Sequence, residues 1–194
     1  MVLITIDGNI GAGKSTILKF LKDVANINTD PEPVDEWEPF LVDMYKNNKD
    51  GFEFQVKVWN DRCFNQKYNS NGITCIERSP LFQWNVFTKA NYYNGKLSDR
   101  QYNLLNDLYD FPSYKPDLYI YLRTDPLKCI ERIGIRDRNC ESDIDTTYIT
   151  QIHDLHEKTY NEINEYKHCV EIEGKNIEHI CNEVLQIIKN FNSQ

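Results

Sequence analysis

The sequence predicts an α/β fold in which a parallel sheet is covered by helices on both faces. Two observations lead to this prediction. Short apolar runs alternate with longer segments of helical periodicity along the 194 residues, which is the pattern of strands joined by crossover helices. A glycine-rich turn separates the first apolar run from the first amphipathic segment, and α/β folds use this position to bind anions at a helix N-terminus.

The first element is a strand at 2–6, because VLITI is a short, continuous apolar run that suits a strand buried on both faces. Residues 15–24 follow as a helix, since their apolar side chains fall on one stripe. A second strand is predicted before Asp30, which makes five strands in all. The other predicted strands are 72–77, 117–122 and 169–172, and the later predicted helices are 37–48, 53–70, 80–94, 98–110, 126–136, 145–166 and 176–191.

Length and composition favour a single domain over residues 1–194, with 40% hydrophobic and 27% charged residues. The net charge of −8 opposes binding to nucleic acid or to an acidic membrane, so any phosphate ligand must be held by a local site. No run approaches the roughly 20 apolar residues of a membrane-spanning helix. With no targeting signal before the first strand, and six cysteines without a C-x-x-C pair, we expect a cytoplasmic protein with reduced thiols.

Residues 8–15 match the phosphate-binding motif G-x-x-x-x-G-K-[ST] in full, between a predicted strand and a predicted helix. Its glycines allow several backbone N–H groups to converge on phosphate oxygens, and the helix adds the positive end of its dipole. We expect Lys14 to reach the β- and γ-phosphates and Ser15 to ligate Mg²⁺. The alternative is an incidental glycine turn, which the full match in this position argues against. The predicted nucleotide-binding residues are Gly8, Asn9, Ile10, Gly11, Ala12, Gly13, Lys14, Ser15 and Thr16.

A P-loop alone does not distinguish a GTPase, an ATPase motor and a small-molecule kinase. The chain has no N-K-x-D motif that would read guanine. A short, acidic chain with one P-loop is also an awkward nucleic-acid motor. These features favour a small-molecule kinase that uses ATP and Mg²⁺.

Three further residues are candidates for the acceptor side of such a site. Glu32 lies between two prolines that stiffen the backbone. A base that deprotonates a hydroxyl group must be held in a fixed orientation, so Glu32 is a candidate for this role. The alternative is an ordinary exposed glutamate, which is common near prolines. Glu77 and Arg78 follow an apolar run, at the end where parallel sheets collect their ligands. A carboxylate there can join a Mg²⁺ shell, and an arginine can meet phosphate oxygens.

An arginine-rich segment at about 132–142 predicts a lid that closes over a triphosphate. Arg132, Arg136 and Arg138 occur within seven residues, around Gly134 and before Glu141. Arginines of this kind stabilise the charge of the transferring phosphoryl group. A helix with one basic face is the alternative.

Together these residues resemble the deoxynucleoside kinase family, which includes the animal deoxycytidine, deoxyguanosine and mitochondrial thymidine kinases. The resemblance implies a P-loop kinase fold with a five-stranded parallel sheet, helices on both faces and an arginine-bearing lid. It also implies ATP-dependent phosphorylation of the 5′-hydroxyl of deoxynucleosides, and a homodimer. The motifs that carry it are IDGNIGAGKST at 6–16, EPVDEW at 32–37, MYK at 44–46, FQ at 54–55, ERS at 77–79, DLYIYLRTDP at 117–126, ERIGIRDRNCE at 131–141 and LHEKTY at 155–160.

The resemblance also implies roles for the residues around the reacting groups. Glu32 is similar to the general base of the family, and Arg78 to the arginine that steadies this carboxylate and the 5′-oxygen. Ser15 and Glu77 resemble the magnesium contacts. Arg136 and Arg138 resemble the lid arginines that contact the phosphates, and together with Lys14 they complete the set of catalytic residues.

The implied nucleoside site has a sugar part and a base part. Tyr45 and Glu141 resemble the pair that hydrogen-bonds the sugar 3′-hydroxyl. Gln55 is similar to the amide that reads the base edge, between Trp37 and Phe87 as aromatic walls.

The implied adenine site of the donor lies at the other end. Arg132 takes the position of a side chain that stacks against the adenine. The loop formed by Glu173, Gly174 and Lys175 is expected to hold the adenine from its other side.

Two positions depart from the pattern that tunes base choice in this family. The deoxycytidine and purine kinases pair an arginine with an aspartate there, whereas this chain has Arg62 and Gln83. A buried Arg62 without a carboxylate would be costly, so we expect it to reach the base, another acid such as Asp61, or solvent. Gln83 can donate and accept hydrogen bonds, which leaves the preferred base open.

Two rival functions remain. A nucleoside monophosphate kinase of the thymidylate kinase type shares the fold, but it would show basic residues where this chain has an acidic entrance, formed by Asp30, Glu32, Asp35, Glu36 and Glu38. A nucleotide-dependent binding protein that has lost catalysis is the second rival.

His153 and His156 lie three residues apart on a predicted helix, where a solvated face is a better interpretation than a metal site.

Overall fold

The computed structural model describes residues 1–47, 49–64, 68, 72–112 and 114–193. Within these residues, five strands form one parallel sheet: β1 (Val2–Gly8), β2 (Asn28–Asp30), β3 (Ile73–Glu77), β4 (Leu118–Arg123) and β5 (Lys167–Glu171). Their order across the sheet is β2-β3-β1-β4-β5. In the register of the central strand, Ile4 lies opposite Cys75 of β3 and Leu118 of β4. The predicted five-stranded parallel sheet is confirmed.

The helices predicted at 15–24, 98–110, 126–136 and 176–191 lie within one residue of their predicted bounds. None in the described part of the chain is long and apolar enough to cross a lipid bilayer. The helices are α1 (Lys14–Ala25), α2 (Val34–Tyr45), α3 (Phe52–Val58), α4 (Pro80–Phe82), α5 (Lys89–Tyr93), α6 (Asp99–Tyr109), α7 (Pro126–Arg136), α8 (Thr146–Glu162) and α9 (Ile177–Asn192).

Three predicted helices differ from the structure in an informative way. The helix predicted at 37–48 begins directly after Pro33, because the restricted φ of proline suits a helix start. It ends at Tyr45, and residue 48 lies outside the described residues. The helix predicted at 53–70 is α3 followed by a π-helical turn, Trp59–Phe64, and residues 65–67 and 69–70 of that prediction lie outside the described residues. The helix predicted at 80–94 contains a second π-helical segment, Gln83–Thr88, between α4 and α5. Such segments are frequent at functional sites, and these two carry Arg62 and Gln83.

Apolar side chains cover both faces of the sheet. On one face, α1 and α9 pack their apolar stripes against side chains such as Ile120 of β4. Tyr119, the residue before Ile120 in β4, points to the other face and packs among Phe82, Val86 and Ile152, because successive side chains of a strand alternate. The prediction of helices on both faces is therefore confirmed.

The sequence predicted a solvated helix face for His156, and this prediction is wrong. Its side chain is fully buried, and its ring stacks on Phe82 and on Tyr121. The Nδ1 atom lies 2.7 Å from the carbonyl oxygen of Ile152, so Nδ1 carries the proton. Burial, reinforced by the charge of Arg78, lowers the pKa of His156 well below 6.5. The packing of α8 against an aromatic layer, which no local pattern reveals, explains the difference.

Acid should therefore destabilise the protein through His156. Because the pKa falls on folding, the unfolded chain binds a proton that the folded chain excludes. The contribution to stability is complete above pH 6.5 and is lost below it, at up to about 1.4 kcal/mol per pH unit. Urea unfolding between pH 5 and pH 8 should show a shallower dependence in His156→Phe than in the wild type. His179→Phe, at an exposed position of α9, is the control and should keep the wild-type slope.

Candidate active site

The candidate site is a cavity of about 500 Å³ at the carboxyl ends of β1, β2 and β3. Parallel α/β sheets bind their ligands at this edge. The predicted site residues on its wall are Ile10, Gly11, Ala12, Gly13, Lys14, Ser15, Thr16, Glu32, Trp37, Tyr45, Glu77, Arg78, Gln83, Phe87, Arg132, Arg136, Arg138 and Glu141. Seven predicted residues lie off this wall: Gly8, Asn9, Gln55, Arg62, Glu173, Gly174 and Lys175.

The turn after β1 packs closely against α7 on one side and is tied to α8 on the other. Gly11 has a φ of +80°, and a Cβ atom there would lie 2.7 Å from the carbonyl oxygen of Cys129 on α7. Any side chain at this position would therefore separate the loop from α7. Asn9 ties the loop to the opposite side, because its amide nitrogen donates to the carbonyl of Ile149 at 2.9 Å. The loop is held from both sides before any ligand binds.

Lys14, at the start of α1, is buried inside this loop. Its ammonium group donates to the carbonyl oxygens of Gly8, at 3.2 Å, and Asn9, at 3.0 Å. Burial and the charge of Arg78 lower its pKa, while Glu77, 3.9 Å away, favours the charged form. The ammonium is thus presented at the loop that cradles phosphate.

Ser15 and Glu77 come together although 62 residues separate them in the sequence. The Ser15 hydroxyl lies 3.1 and 3.2 Å from the two carboxylate oxygens of Glu77. One of these oxygens also accepts the backbone N–H of Glu32 at 3.2 Å. Hydroxyl and carboxylate oxygens beside a phosphate cradle are a suitable donor set for Mg²⁺, which is usually bound by one or two protein oxygens and substrate phosphates. The residues present therefore fit this ion.

The buried Arg78 and the half-buried Glu32 form an ion pair, with 2.7 Å between Arg78 Nε and a carboxylate oxygen. Burial raises the pKa of Glu32, but the charges of Arg78 and Lys14 outweigh it, and the pKa lies below its ordinary value. The carboxylate is therefore ionised at neutral pH. The Arg78 guanidinium lies 3.9 Å over the ring of Phe87 and also donates to the carbonyl of Gly8 at 3.3 Å.

Aromatic rings and amides form the far end of the cavity. Trp37 is held by a hydrogen bond from its indole nitrogen to Asp61, at 2.9 Å. Gln55 is fully buried behind Gln83, whose amide nitrogen donates to it at 2.9 Å. Thr88, a residue that the sequence analysis missed, lies 2.8 Å from the same Gln55 oxygen. Gln83 on the wall and Gln55 behind it thus belong to one polar network beside an apolar pocket.

Arg62 does have a carboxylate partner, and it is Asp30. Their charged atoms are 2.8 Å apart, and Arg62 also donates to the carbonyls of Asp30, at 3.0 Å, and Glu77, at 3.2 Å. Arg62 is 5% exposed, so it joins the ends of β2 and β3 from the interior rather than reaching solvent. Sequence reasoning missed this pair because the two residues lie on different elements.

The acidic entrance is accordingly less acidic than the sequence suggests. Asp30 and Glu32 are paired with Arg62 and Arg78. The other three acids, Asp35, Glu36 and Glu38, are exposed on the first turns of α2. Screening by water weakens the field of such exposed charges, so the argument against a phosphorylated acceptor weakens too.

The arginine-rich segment begins on α7, which carries Arg132 and Arg136. It continues past the end of that helix, where Asp137 adopts a left-handed conformation with φ of 51°. Arg136 and Arg138 both contact the carboxylate of Glu141, the latter at 3.5 Å. Arg132 donates to the carbonyl oxygens of residues 11 and 12 in the glycine turn, at 3.3 and 3.4 Å. All three arginines line the cavity.

Two tyrosines meet near the sugar part of the predicted site. The hydroxyl of Tyr45 lies 3.4 Å from that of Tyr148, and their rings pack edge to face with centroids 5.9 Å apart. Tyr148 was missed by the sequence analysis, since a tyrosine on a predicted helix carries no signal of its own. Tyr45 and Glu141 both line the cavity, as their predicted shared role requires.

The loop predicted to hold adenine is a turn at Glu173–Gly174, where Gly174 has a φ of +72°. Its neighbours Ile172 and Ile177 line the cavity. Apolar side chains at the flanks of the turn thus form this end of the wall.

Comparison with known proteins agrees with this geometry. The family model described as deoxynucleoside kinase matches residues 4–193. A deoxyadenosine kinase of Dictyostelium discoideum is 33% identical over 171 residues, which cover 84% of this chain and 68% of that protein. A putative kinase protein, 029R, of Invertebrate iridescent virus 3 is 31% identical over 158 residues, with 80% of each chain covered.

The solved structures give the same result for the fold. A deoxyadenosine kinase from M. mycoides, with products dCMP and a flexible dCDP bound, has a TM-score of 0.86 to this chain at 25% identity. The match covers 98% of this chain and 100% of that one. The architecture is that of a P-loop kinase.

Proposed function

This chain belongs to the deoxynucleoside kinase family and phosphorylates deoxynucleosides, and we propose that it transfers the γ-phosphoryl group of ATP to their 5′-hydroxyl. The observation that carries the proposal is the Glu32–Arg78 pair, which faces the P-loop across one cavity. A carboxylate fixed in this way can receive the proton of an acceptor hydroxyl beside the phosphates. The names of the relatives support a deoxynucleoside as that acceptor.

In the proposed mechanism, positioning and electrostatics supply most of the catalysis. Lys14 and the backbone of the glycine turn hold the β- and γ-phosphates in line with the acceptor. Glu32 accepts the proton of the 5′-hydroxyl, and Arg78 keeps this carboxylate ionised and aimed. Because the pKa of Glu32 is lowered, we expect proton transfer late in the reaction, when the attacking oxygen is already bonded to phosphorus and more acidic.

Arg136 and Arg138 are proposed to move from Glu141 to the transferring phosphoryl group. Their present contacts leave Glu141 on the cavity wall beside Tyr45. Departure of the arginines would free the carboxylate of Glu141 to accept a hydrogen bond from the sugar 3′-hydroxyl. Lid closure and recognition of the deoxyribose would then be linked by one carboxylate.

Mg²⁺ is proposed as the metal cofactor, held by Ser15 and Glu77 with the phosphates of the donor. When bound, it would neutralise charge on the β- and γ-phosphates. The contact between Ser15 and Glu77 and the oxygen donors of both side chains support this assignment.

Homodimerisation and a cytoplasmic location stay predictions. The family resemblance supports a dimer. Light scattering on the purified protein, across a range of concentrations, tests it by mass.

The function is tested by a coupled ATP-consumption assay against the four deoxynucleosides and the four deoxynucleoside monophosphates. Turnover of deoxynucleosides, with mass spectrometry placing the phosphate on the 5′-oxygen, is the expected result. Turnover of monophosphates alone would instead make the protein a nucleoside monophosphate kinase. ATP binding without any transfer would favour the binding protein that has lost catalysis.

A further inference from the structure

Arg78 has a backbone conformation that needs support. Its φ is +66°, in the left-handed region that residues with a side chain rarely adopt. A conformation of this kind is energetically unfavourable and persists only where the surrounding structure holds it. The conformation matters because it occurs at the residue whose side chain holds Glu32.

The peptide group that joins Arg78 to Ser79 is held at both of its polar ends. The backbone N–H of Ser79 donates to the carboxylate of Asp7 at 2.8 Å. The carbonyl oxygen of Arg78 accepts a hydrogen bond from the hydroxyl of Tyr114 at 3.3 Å. Because a peptide group is planar, fixing both ends fixes the plane, and with it the ψ angle of Arg78.

On its N-terminal side, Arg78 is held by the neighbouring strand β1. The backbone N–H of Arg78 donates to the carbonyl of Ile6 at 3.0 Å. The same carboxylate oxygen of Asp7 also receives the Ser79 hydroxyl at 3.2 Å. The Ser79 hydroxyl in turn caps α4, because it accepts the backbone N–H of Phe82 at 3.2 Å.

Asp7 and Tyr114 are themselves well buried, at 0% and 8% exposure, and neither lines the cavity. Tyr114 is fixed by an edge-to-face contact with Tyr68, with ring centroids 5.2 Å apart. Asp7 lies on the central strand, one residue before the glycine turn. Two rigid side chains thus converge on one peptide without contacting the space where ligands bind.

We propose that Asp7 and Tyr114 are positioning residues that clamp the 78–79 peptide and so aim the Arg78 side chain at Glu32. The inference rests on the proposed role of Arg78 in orienting the general base. A small rotation of the clamped peptide would displace the guanidinium, which is several bonds away from it. A misplacement of about 1 Å near reacting groups can lower a rate by about 100-fold.

The test uses three variants with graded changes at the clamp. Asp7→Ala should lower kcat for deoxynucleosides by about 100-fold, and Tyr114→Phe, which removes only the hydroxyl, by about tenfold. Asp7→Asn keeps an oxygen that can accept the Ser79 N–H and should restore kcat to within about threefold of the wild type. The KM for ATP should stay at its wild-type value in all three. Tyr109→Phe, at a tyrosine that packs on Trp59 and Trp84, is the matched control and should keep the wild-type kcat.

A double-mutant cycle separates positioning from a general loss of structure. In an Arg78→Met background the clamp has no guanidinium to aim, so adding Asp7→Ala or Tyr114→Phe should cause no further fall in kcat. Should the effects of the single changes multiply instead, the clamp would act independently of Arg78 and the proposal would be wrong. If Asp7→Ala does not fold, the Tyr114→Phe arm of the cycle decides the question alone.

The outcome also distinguishes this proposal from the proposed function. A wild-type protein that phosphorylates no deoxynucleoside would overturn the function. An active wild type whose Tyr114→Phe and Asp7→Ala variants keep the full kcat would overturn only the clamp.

Discussion

Glu32→Gln is expected to lower kcat by about 10²–10⁴-fold, with little change in the KM for ATP. Glutamine keeps the size of the side chain and an oxygen 2.7 Å from Arg78 Nε, but it cannot accept the proton of a hydroxyl group. The donor site on the P-loop is left intact. Steady-state kinetics with saturating deoxynucleoside, and ATP as the varied substrate, measures both constants.

Stability must be measured beside activity for this variant. Removing one partner of a buried ion pair typically costs about 3–5 kcal/mol, because the other charge is left uncompensated. The rate should therefore be expressed per folded enzyme, from an unfolding curve of the same preparation. Glu36→Gln makes the same chemical change at an exposed position of α2 and should behave as the wild type. A kcat within a few-fold of the wild type in Glu32→Gln would mean that another group is the base.

Lys14→Met is expected to lower kcat/KM for ATP by about 10³-fold. Methionine retains most of the stem but removes the ammonium group, which donates to the Gly8 and Asn9 carbonyls and, as proposed, neutralises phosphate charge. Deoxynucleoside affinity should not change, because the acceptor end of the cavity is untouched. Quenching of tryptophan fluorescence, with Trp37 on the cavity wall, measures that affinity.

The stability of Lys14→Met should move in the opposite direction to that of Glu32→Gln. Burial lowers the pKa of Lys14, so the charged form is less favourable in the folded protein than in the unfolded chain, and its removal should leave the melting temperature equal or higher. Lys19→Met, at an exposed position of the same helix, is the control and should retain activity. Loss of folding in Lys14→Met, rather than loss of ATP turnover, would contradict the proposed role.

The candidate residues whose position in the fold the sequence predicted well are those that lie together on one short segment. Residues 8–15 carry their own glycines, lysine and hydroxyl, and the structure places them between β1 and α1 as predicted. The same holds for Glu77 and Arg78, because the end of a parallel strand is also the edge of the site.

The errors about individual side chains concern residues whose environment comes from a distant element. The partner of Arg62 was not identified because Asp30 lies on β2, whereas Arg62 lies on a π-helical turn far from it in sequence. His156 looked solvated because a helical pattern does not show which aromatic rings will cover it. Tyr114 had no predicted role, although its hydroxyl holds the backbone of Arg78.

Local patterns in the sequence were enough to predict the succession of strands and helices along the chain and the phosphate loop, because apolar periodicity and a contiguous motif are local properties. The resemblance to the kinase family came from motifs spread along the chain. Which charges are paired, and how Arg78 is held, became apparent only in the folded protein. The reason is physical: the strength of an ion pair and the pKa of a side chain depend on distance and burial, and residues far apart in sequence set both. The carboxylate of Asp7 can hold the peptide group between Arg78 and Ser79 only because β1 and β3 lie side by side in the sheet.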